Sequence, residues 1–363
     1  MEKEVKIRNL FPAGNTTQGF VSFFDFIINK DKANHLYSIK GGPGTGKSSI
    51  MKKIGNHFTK AGYDVEYHHC SSDPDSLDAV VIPLLKVALL DGTAPHVVDP
   101  IYPGAVDEII NLGEYWDKEK LESRKNDIIK ITKENSRLFQ KAYAYLKASG
   151  KIYDVYERTA LNVSDINTNE LTLELVRKYF SDYPIVKKPG EQRNLFAFGI
   201  TPKGIINYRT DMLKSLHKKI LIIEDPYSSS EHLMNKLKDE LINRGVNVLC
   251  LHSPLKTNKI LDIVIDDLDL IISVENSHYK YNHTRNYEID LRLYIDKDKK
   301  EKVHKEVDDD IKLFELLLEN AIKYIKKAKE NHDILEEFYI DAINFSKHDE
   351  LLDNLIKRIE AIQ

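Results

Sequence analysis

Gly41-Gly42-Pro43-Gly44-Thr45-Gly46-Lys47-Ser48 is the stretch on which the fold of this chain turns. It fits the spacing G-x-x-x-x-G-K-[ST]. Its glycines let the backbone wrap tightly, so that successive N–H groups converge on one point, a geometry suited to phosphate oxygens. A helix starting near Lys47 adds its positive dipole end to the same point. Lys47 then reaches the β- and γ-phosphates as a point charge, and the Ser48 hydroxyl ligates Mg²⁺. Gly41, Gly42, Pro43, Gly44, Thr45, Gly46, Lys47, Ser48 and Ser49 therefore form the candidate site for ATP or GTP.

The flanks agree with this motif, known as a P-loop. Residues 36–40 read as a buried strand and 47–60 as a helix ending at Gly62. Residues 63–69 and 87–90 read as further strands, while 79–85 suit strand or helix equally. The alternation predicts an α/β fold with a parallel sheet and helices packed on it. Four apolar residues, 87–90, lead into Asp91, the pattern of a carboxylate that holds Mg²⁺ through water. Gly92, not Glu, follows Asp91, so the acidic pair that activates water in fast motor ATPases is missing.

The chain repeats itself. Arg8-Asn9-Leu10-Phe11 recurs as Arg193-Asn194-Leu195-Phe196, and Gly14, Thr16 and Gly19 recur at the same offset as Gly199, Thr201 and Gly204. Leu77-Asp78 faces Leu261-Asp262 after a one-residue slip, and His69 faces His252. Two tandem P-loop-like domains are expected, 1–188 and 189–363, with Pro/Gly linker chemistry at 187–192. Each ends in amphipathic helices, over 121–152 and 311–338, which suit a packing appendage, a self-association surface or a lid. In the second copy the loop reads Glu224-Asp225-Pro226-Tyr227-Ser228-Ser229-Ser230-Glu231: Ser230 replaces Lys47, and carboxylates replace the cation. Like charges a few ångströms apart cost on the order of 1–4 kcal/mol at surface dielectric, so this copy is expected to serve as a scaffold.

Residues lost together with the lysine are candidates for chemistry. Asp73 and Asp75 follow a strand at its carboxyl end, where ligands of open sheets bind. Either suits a base for an acceptor hydroxyl, or a helix-capping role before Ser76. His96 is a candidate γ-phosphate sensor. His68 and His69 point to opposite faces of a strand and so are poorly placed to share a metal.

Composition narrows the partners. The net charge of −4 argues against nucleic acid as a main partner, and no apolar stretch approaches the ~18 residues that span a bilayer. Two distant cysteines, Cys70 and Cys250, and a charged N-terminus fit a reducing cytoplasm.

Taken together, residues 41–49, 68–78 and 90–96 resemble a family of uncharacterised bacterial tandem P-loop ATPases of the nucleotide-kinase-like type. The likeness covers nearly the whole chain and implies a P-loop NTPase fold with ATP binding. Members of that family can carry the loop in both copies; this chain departs from the pattern in its second copy. The expected function is Mg²⁺-dependent ATP hydrolysis at one site. The alternatives are a small-molecule kinase and a nucleotide-gated regulator acting on a protein partner.

Overall fold

In the computed structural model, which describes residues 5–94, 97–276 and 285–362, the apolar runs become strands and the longer apolar stripes become helices. The first half contains β1 (Ile7–Leu10), β2 (Ala13–Thr16), β3 (Gly19–Ser22), β4 (His35–Lys40), α1 (Lys47–Lys60), β5 (Val65–His69), β6 (Leu77–Ile82), β7 (Val87–Asp91), β8 (Asp107–Asn111), α2 (Lys118–Ser123), α3 (Lys125–Leu161) and α4 (Thr168–Tyr179). The ambiguous run thus resolves into a strand followed by a short 3₁₀ turn at Pro83–Leu85. The second half repeats the order with β9 (Gln192–Leu195), β10 (Phe198–Thr201), β11 (Gly204–Asn207), α5 (Arg209–Ser215), β12 (Lys218–Ile223), α6 (Glu231–Asn243), β13 (Val248–Ser253), β14 (Lys256–Ile265), β15 (Leu270–Glu275), β16 (Tyr287–Asp290), α7 (Lys297–Ile340) and α8 (Ser346–Glu360).

The fold is α/β, but the sheets are mixed where parallel sheets were expected. One sheet runs β1-β5-β6-β7-β4-β8 and the other β9-β13-β14-β15-β12-β16, with β6 and β14 antiparallel to their neighbours. The cause is the length of the connections. Residues 70–76 and 83–86 are too few for the crossover of a dozen or more residues that a parallel pair needs, so the chain turns back on itself. Lys86 and Asp269 take the same left-handed φ, +53° and +51°, at corresponding turns.

A third, four-stranded sheet joins the halves: the hairpins β2-β3 and β10-β11 meet through β2 and β10. Phe11 and Phe196, matched in the repeat, exchange main-chain hydrogen bonds of 2.7 and 3.0 Å. Tyr145 of α3 and Tyr324 of α7 stack at 5.7 Å with their planes 11° apart. The Phe11–Phe196 pair marks an internal two-fold relation. Other shared residues serve the fold in the same way in each half. His69 and His252 each sit 2.9 Å from the amide oxygen of Asn9 and Asn194. Arg8 ion-pairs with Asp266, while Arg193 pairs with Glu66 at 2.6 Å, so each arginine ties its strand to the opposite half.

Strand register corrects one match in the repeat. Leu77 pairs with His69 as Ile260 pairs with His252, and Ala79 pairs with Leu90 as Asp262 pairs with Ser273. Asp262 therefore corresponds to Ala79, and Asp78 corresponds to Leu261. Asp262 is fully buried and forms hydrogen bonds of 2.6 and 2.8 Å with Arg209, with Ser273 alongside at 3.1 Å from the guanidinium. In the first half the corresponding Phe24, Ala79 and Leu90 form an apolar cluster instead.

The hydrophobic cores do not divide at residue 188. Leu352, Leu355 and Ile359 of α8 lie in the core of the first sheet, beside Ile50, Ile54 and Phe58 of α1. Leu171, Leu175 and Val176 of α4 lie in the core of the second sheet, beside Leu233, Leu237 and Leu241 of α6. The halves thus exchange their last helices. Between them α3 and α7 run side by side, burying Ala142, Leu146, Phe314, Leu318 and Ile325 against the central hairpins. Among the described residues no helix is long and apolar enough to cross a membrane.

Two expectations follow for stability, both measured by urea unfolding. Leu355→Ala, at a fully buried position of the exchanged helix, should cost about 2–5 kcal/mol although it lies some 290 residues from the core it fills. Asp262→Ala should cost about 3–5 kcal/mol by leaving the Arg209 guanidinium buried without its carboxylate.

Candidate functional site

The glycine loop leaves β4 at its carboxyl end and enters α1, as the motif requires. Gly44 and Gly46 adopt φ of +68° and +84°, values that a side chain would strain. Thr45 is buried, and its hydroxyl donates to the Gly42 carbonyl at 2.8 Å, closing the turn internally. Lys47, on the first turn of α1, donates to the carbonyls of Gly41 and Gly42 at 2.8 and 2.7 Å. Its ammonium also lies 3.5 Å from the Asp91 carboxylate, because β7 and β4 are adjacent parallel strands and Ile39 pairs with Asp91.

Thr93 ties these parts together. Its amide donates to Asp91 at 2.8 Å, and its hydroxyl donates to the Gly41 carbonyl at 2.8 Å. Ser48 accepts from the Leu77 amide at 2.9 Å, which sets its hydroxyl at the start of β6. Pro43 is half-buried, whereas Ser49 is exposed on α1. The structure thus brings Lys47 and Asp91 together, with Ser48 next to Lys47 in the first turn of α1.

Asp73 and Asp75 take other partners. Asp73 accepts from the Ser76 hydroxyl at 2.7 Å and lies 3.5 Å from Lys329 of α7. Asp75 is exposed and pairs with Lys203 of the β10-β11 hairpin at 2.5 Å, which holds its carboxyl below the usual range. No helix follows them, since β6 begins at Leu77, so neither caps one. His96 lies outside the described residues. Cys70 is half-buried, and Asp78 hydrogen-bonds to it.

Asp78 is the residue that the sequence misassigned. It is buried, and its carboxyl is pushed up to about 8, first by burial and then by the charge of Asp91. Lys47 acts on it in the opposite sense. Once Asp78 is matched with Leu261, it is a buried carboxylate of the first half whose counterpart in the second half is apolar. The signal was present in the register of alternation, but a match by residue type concealed it.

The second half covers this loop. A β-carbon on Gly42 would lie 2.6 Å from the Tyr339 ring, one on Gly44 2.8 Å from the Glu336 carbonyl oxygen, and one on Gly46 3.0 Å from the His348 ring. These three glycines therefore also admit the end of α7 and the start of α8. Lys53 pairs with Asp349 at 3.2 Å, fastening α8 to α1.

At the corresponding place in the second half, Glu224 is buried and accepts from the Ser230 amide and hydroxyl at 2.8 and 2.7 Å. Burial opposes its ionisation, yet the Lys259 ammonium at 2.6 Å and the Asn276 amide at 2.9 Å hold its carboxyl below the usual range. A cavity of about 320 Å³ lies there, walled by Tyr153, Tyr156 and Leu161 of α3 and by Ile311 and Phe314 of α7.

Comparisons with protein-family models, curated proteins and solved structures return no match. The functional reading therefore rests on the loop and its neighbours.

The raised Asp78 value carries a pH consequence. Because the folded chain holds this proton more tightly than the unfolded one, its ionisation penalty grows as pH rises from about 3.8 towards 8. Between pH 5 and 8, wild-type stability should fall by about 1–3 kcal/mol relative to Asp78→Asn, read from urea unfolding at each pH.

Proposed function

We propose that the loop at residues 41–48 binds the phosphates of a nucleoside triphosphate with Mg²⁺, ATP by preference, and that the chain hydrolyses it slowly. The observation that carries this reading is the Lys47 ammonium. It is held between two loop carbonyls and beside Asp91, at the carboxyl edge of two adjacent parallel strands. A lysine at this point neutralises phosphate charge, and the loop amides and the start of α1 add fixed positive dipoles.

Magnesium suits the donors present. Mg²⁺ keeps several waters and takes one or two protein oxygens plus substrate phosphates. Ser48 and Asp91 supply such a pair, and among the described residues no cluster of three or more His, Cys, Asp or Glu offers a full cage. The ion, when bound, draws charge from the phosphate oxygens. Slow turnover follows from Gly92, which stands where a water-activating glutamate would follow Asp91. Asp73 and Asp75 are engaged with Lys329 and Lys203 and take no part in this reaction.

A second reading, a nucleotide-gated regulator, is favoured by one observation: α7 and α8 of the other half lie directly on the loop. Binding would then be read out as a change in how the halves sit together, with little hydrolysis.

Thermal shift and phosphate release test both. Mg²⁺-ATP should raise the melting temperature of the wild type and of Ser230→Ala, and leave Lys47→Ala unmoved. Equal loss in both variants would refute a single site in the first half. Phosphate release with ATP above that with GTP supports the ATPase; a Lys47-dependent shift without phosphate release supports the regulator.

A further inference from the structure

No side chain caps α1. Gly46 stands at its N-cap, so the amides of the first turn are left to an outside acceptor. His348 of α8, from the second half, faces this turn. A β-carbon on Gly46 would lie 3.0 Å from its Cε1 and 3.1 Å from its Nδ1, so the edge of the ring that carries both nitrogens is turned to the loop. The residue is only 8% exposed, and among the described residues its Nε2 has no hydrogen-bond partner. Leaving a buried imidazole nitrogen unpaired costs the free protein stability, which an acceptor on a ligand would recover.

The ring is also held in place. Phe345 packs against it at 5.0 Å with the planes 81° apart, and Tyr115 of the first half at 5.8 Å and 64°. Behind it, Leu352, Leu355 and Ile359 seat α8 in the core beside α1. Burial lowers the pKa of His348, with Lys53 and against Asp349, so the ring is neutral and one of its nitrogens carries hydrogen.

We propose that His348 is a phosphate-binding residue lent to the glycine loop by the second half, its Nε2–H donating to a phosphate oxygen held at Gly46 and the first turn of α1. The first half then supplies the cradle and the Lys47 charge, and the second half supplies a donor from outside the motif. This role rests on the loop being a phosphate site, and it makes a bound polyphosphate a bridge between the halves.

Wild type, His348→Leu, His348→Gln and Lys47→Ala should be titrated by calorimetry with Mg²⁺-tripolyphosphate and with Mg²⁺-ATP, and unfolded in urea without ligand. His348→Leu should bind both ligands about tenfold more weakly, the size expected for losing one hydrogen bond to a charged group. His348→Gln, which keeps an N–H of similar reach, should recover most of that loss. The urea midpoint of His348→Leu should equal or exceed that of the wild type, because the unpaired nitrogen is gone. Stability and affinity would thus move apart, which a packing role does not produce. Unchanged tripolyphosphate affinity in His348→Leu, a loss confined to ATP, a loss that glutamine does not restore, or a lowered midpoint would each overturn the proposal, while Lys47-dependent binding kept the loop reading intact. Binding to none of the proteins, or binding indifferent to Lys47, would overturn both.

Discussion

Leu352, Leu355 and Ile359 share one apolar face with the helix that follows the glycine loop, and that face belongs to a sheet made about 240 residues or more earlier. Leu171, Leu175 and Val176 do the same for the other sheet. Apolar surface must be buried for a sheet layer to be stable, and here each half buries its own only with a helix from the other. The α3–α7 pair, the central hairpins and the crossed ion pairs of Arg8 and Arg193 all lie between two units already bound by this exchange. The closeness of α7 and α8 to the loop is a result of it.

Much of the site was legible because its residues obey local rules. The loop spacing, the strand before it and the helix after it depend on a dozen neighbouring positions, and the structure places them as that spacing requires. The repeat was legible for a related reason: Phe11 and Phe196, or His69 and His252, do the same work in each half and so remain alike. Strand direction was less legible. Apolar alternation says that β6 is buried but not which way it runs; the short connections on either side decide that. Asp78 was hidden because Asp262, one register position away, looks like its match but belongs to a buried pair with Arg209. The exchange of α4 and α8 could not be read at all, since an amphipathic stripe declares that a helix is buried without naming what buries it.

The two loops show how one backbone demand can be met in two ways. Where the lysine was lost, a buried glutamate, Glu224, took the amide and brought Lys259 to balance its own charge. Where the lysine remains, the glycines stay open enough for another element to approach, and α7 does so. The second loop therefore differs by more than a missing cation: its turn is closed by a side chain from within the turn itself.

The exchanged helices also order events during synthesis. Residues 346–360 are made long after 35–91, so the first sheet emerges with one apolar face that α1 covers only in part. A chain grown only as far as residue 340 has its glycine loop, its lysine and α1, but the part of the layer that α8 covers is still open to water. For this protein, the half that is translated first is finished last.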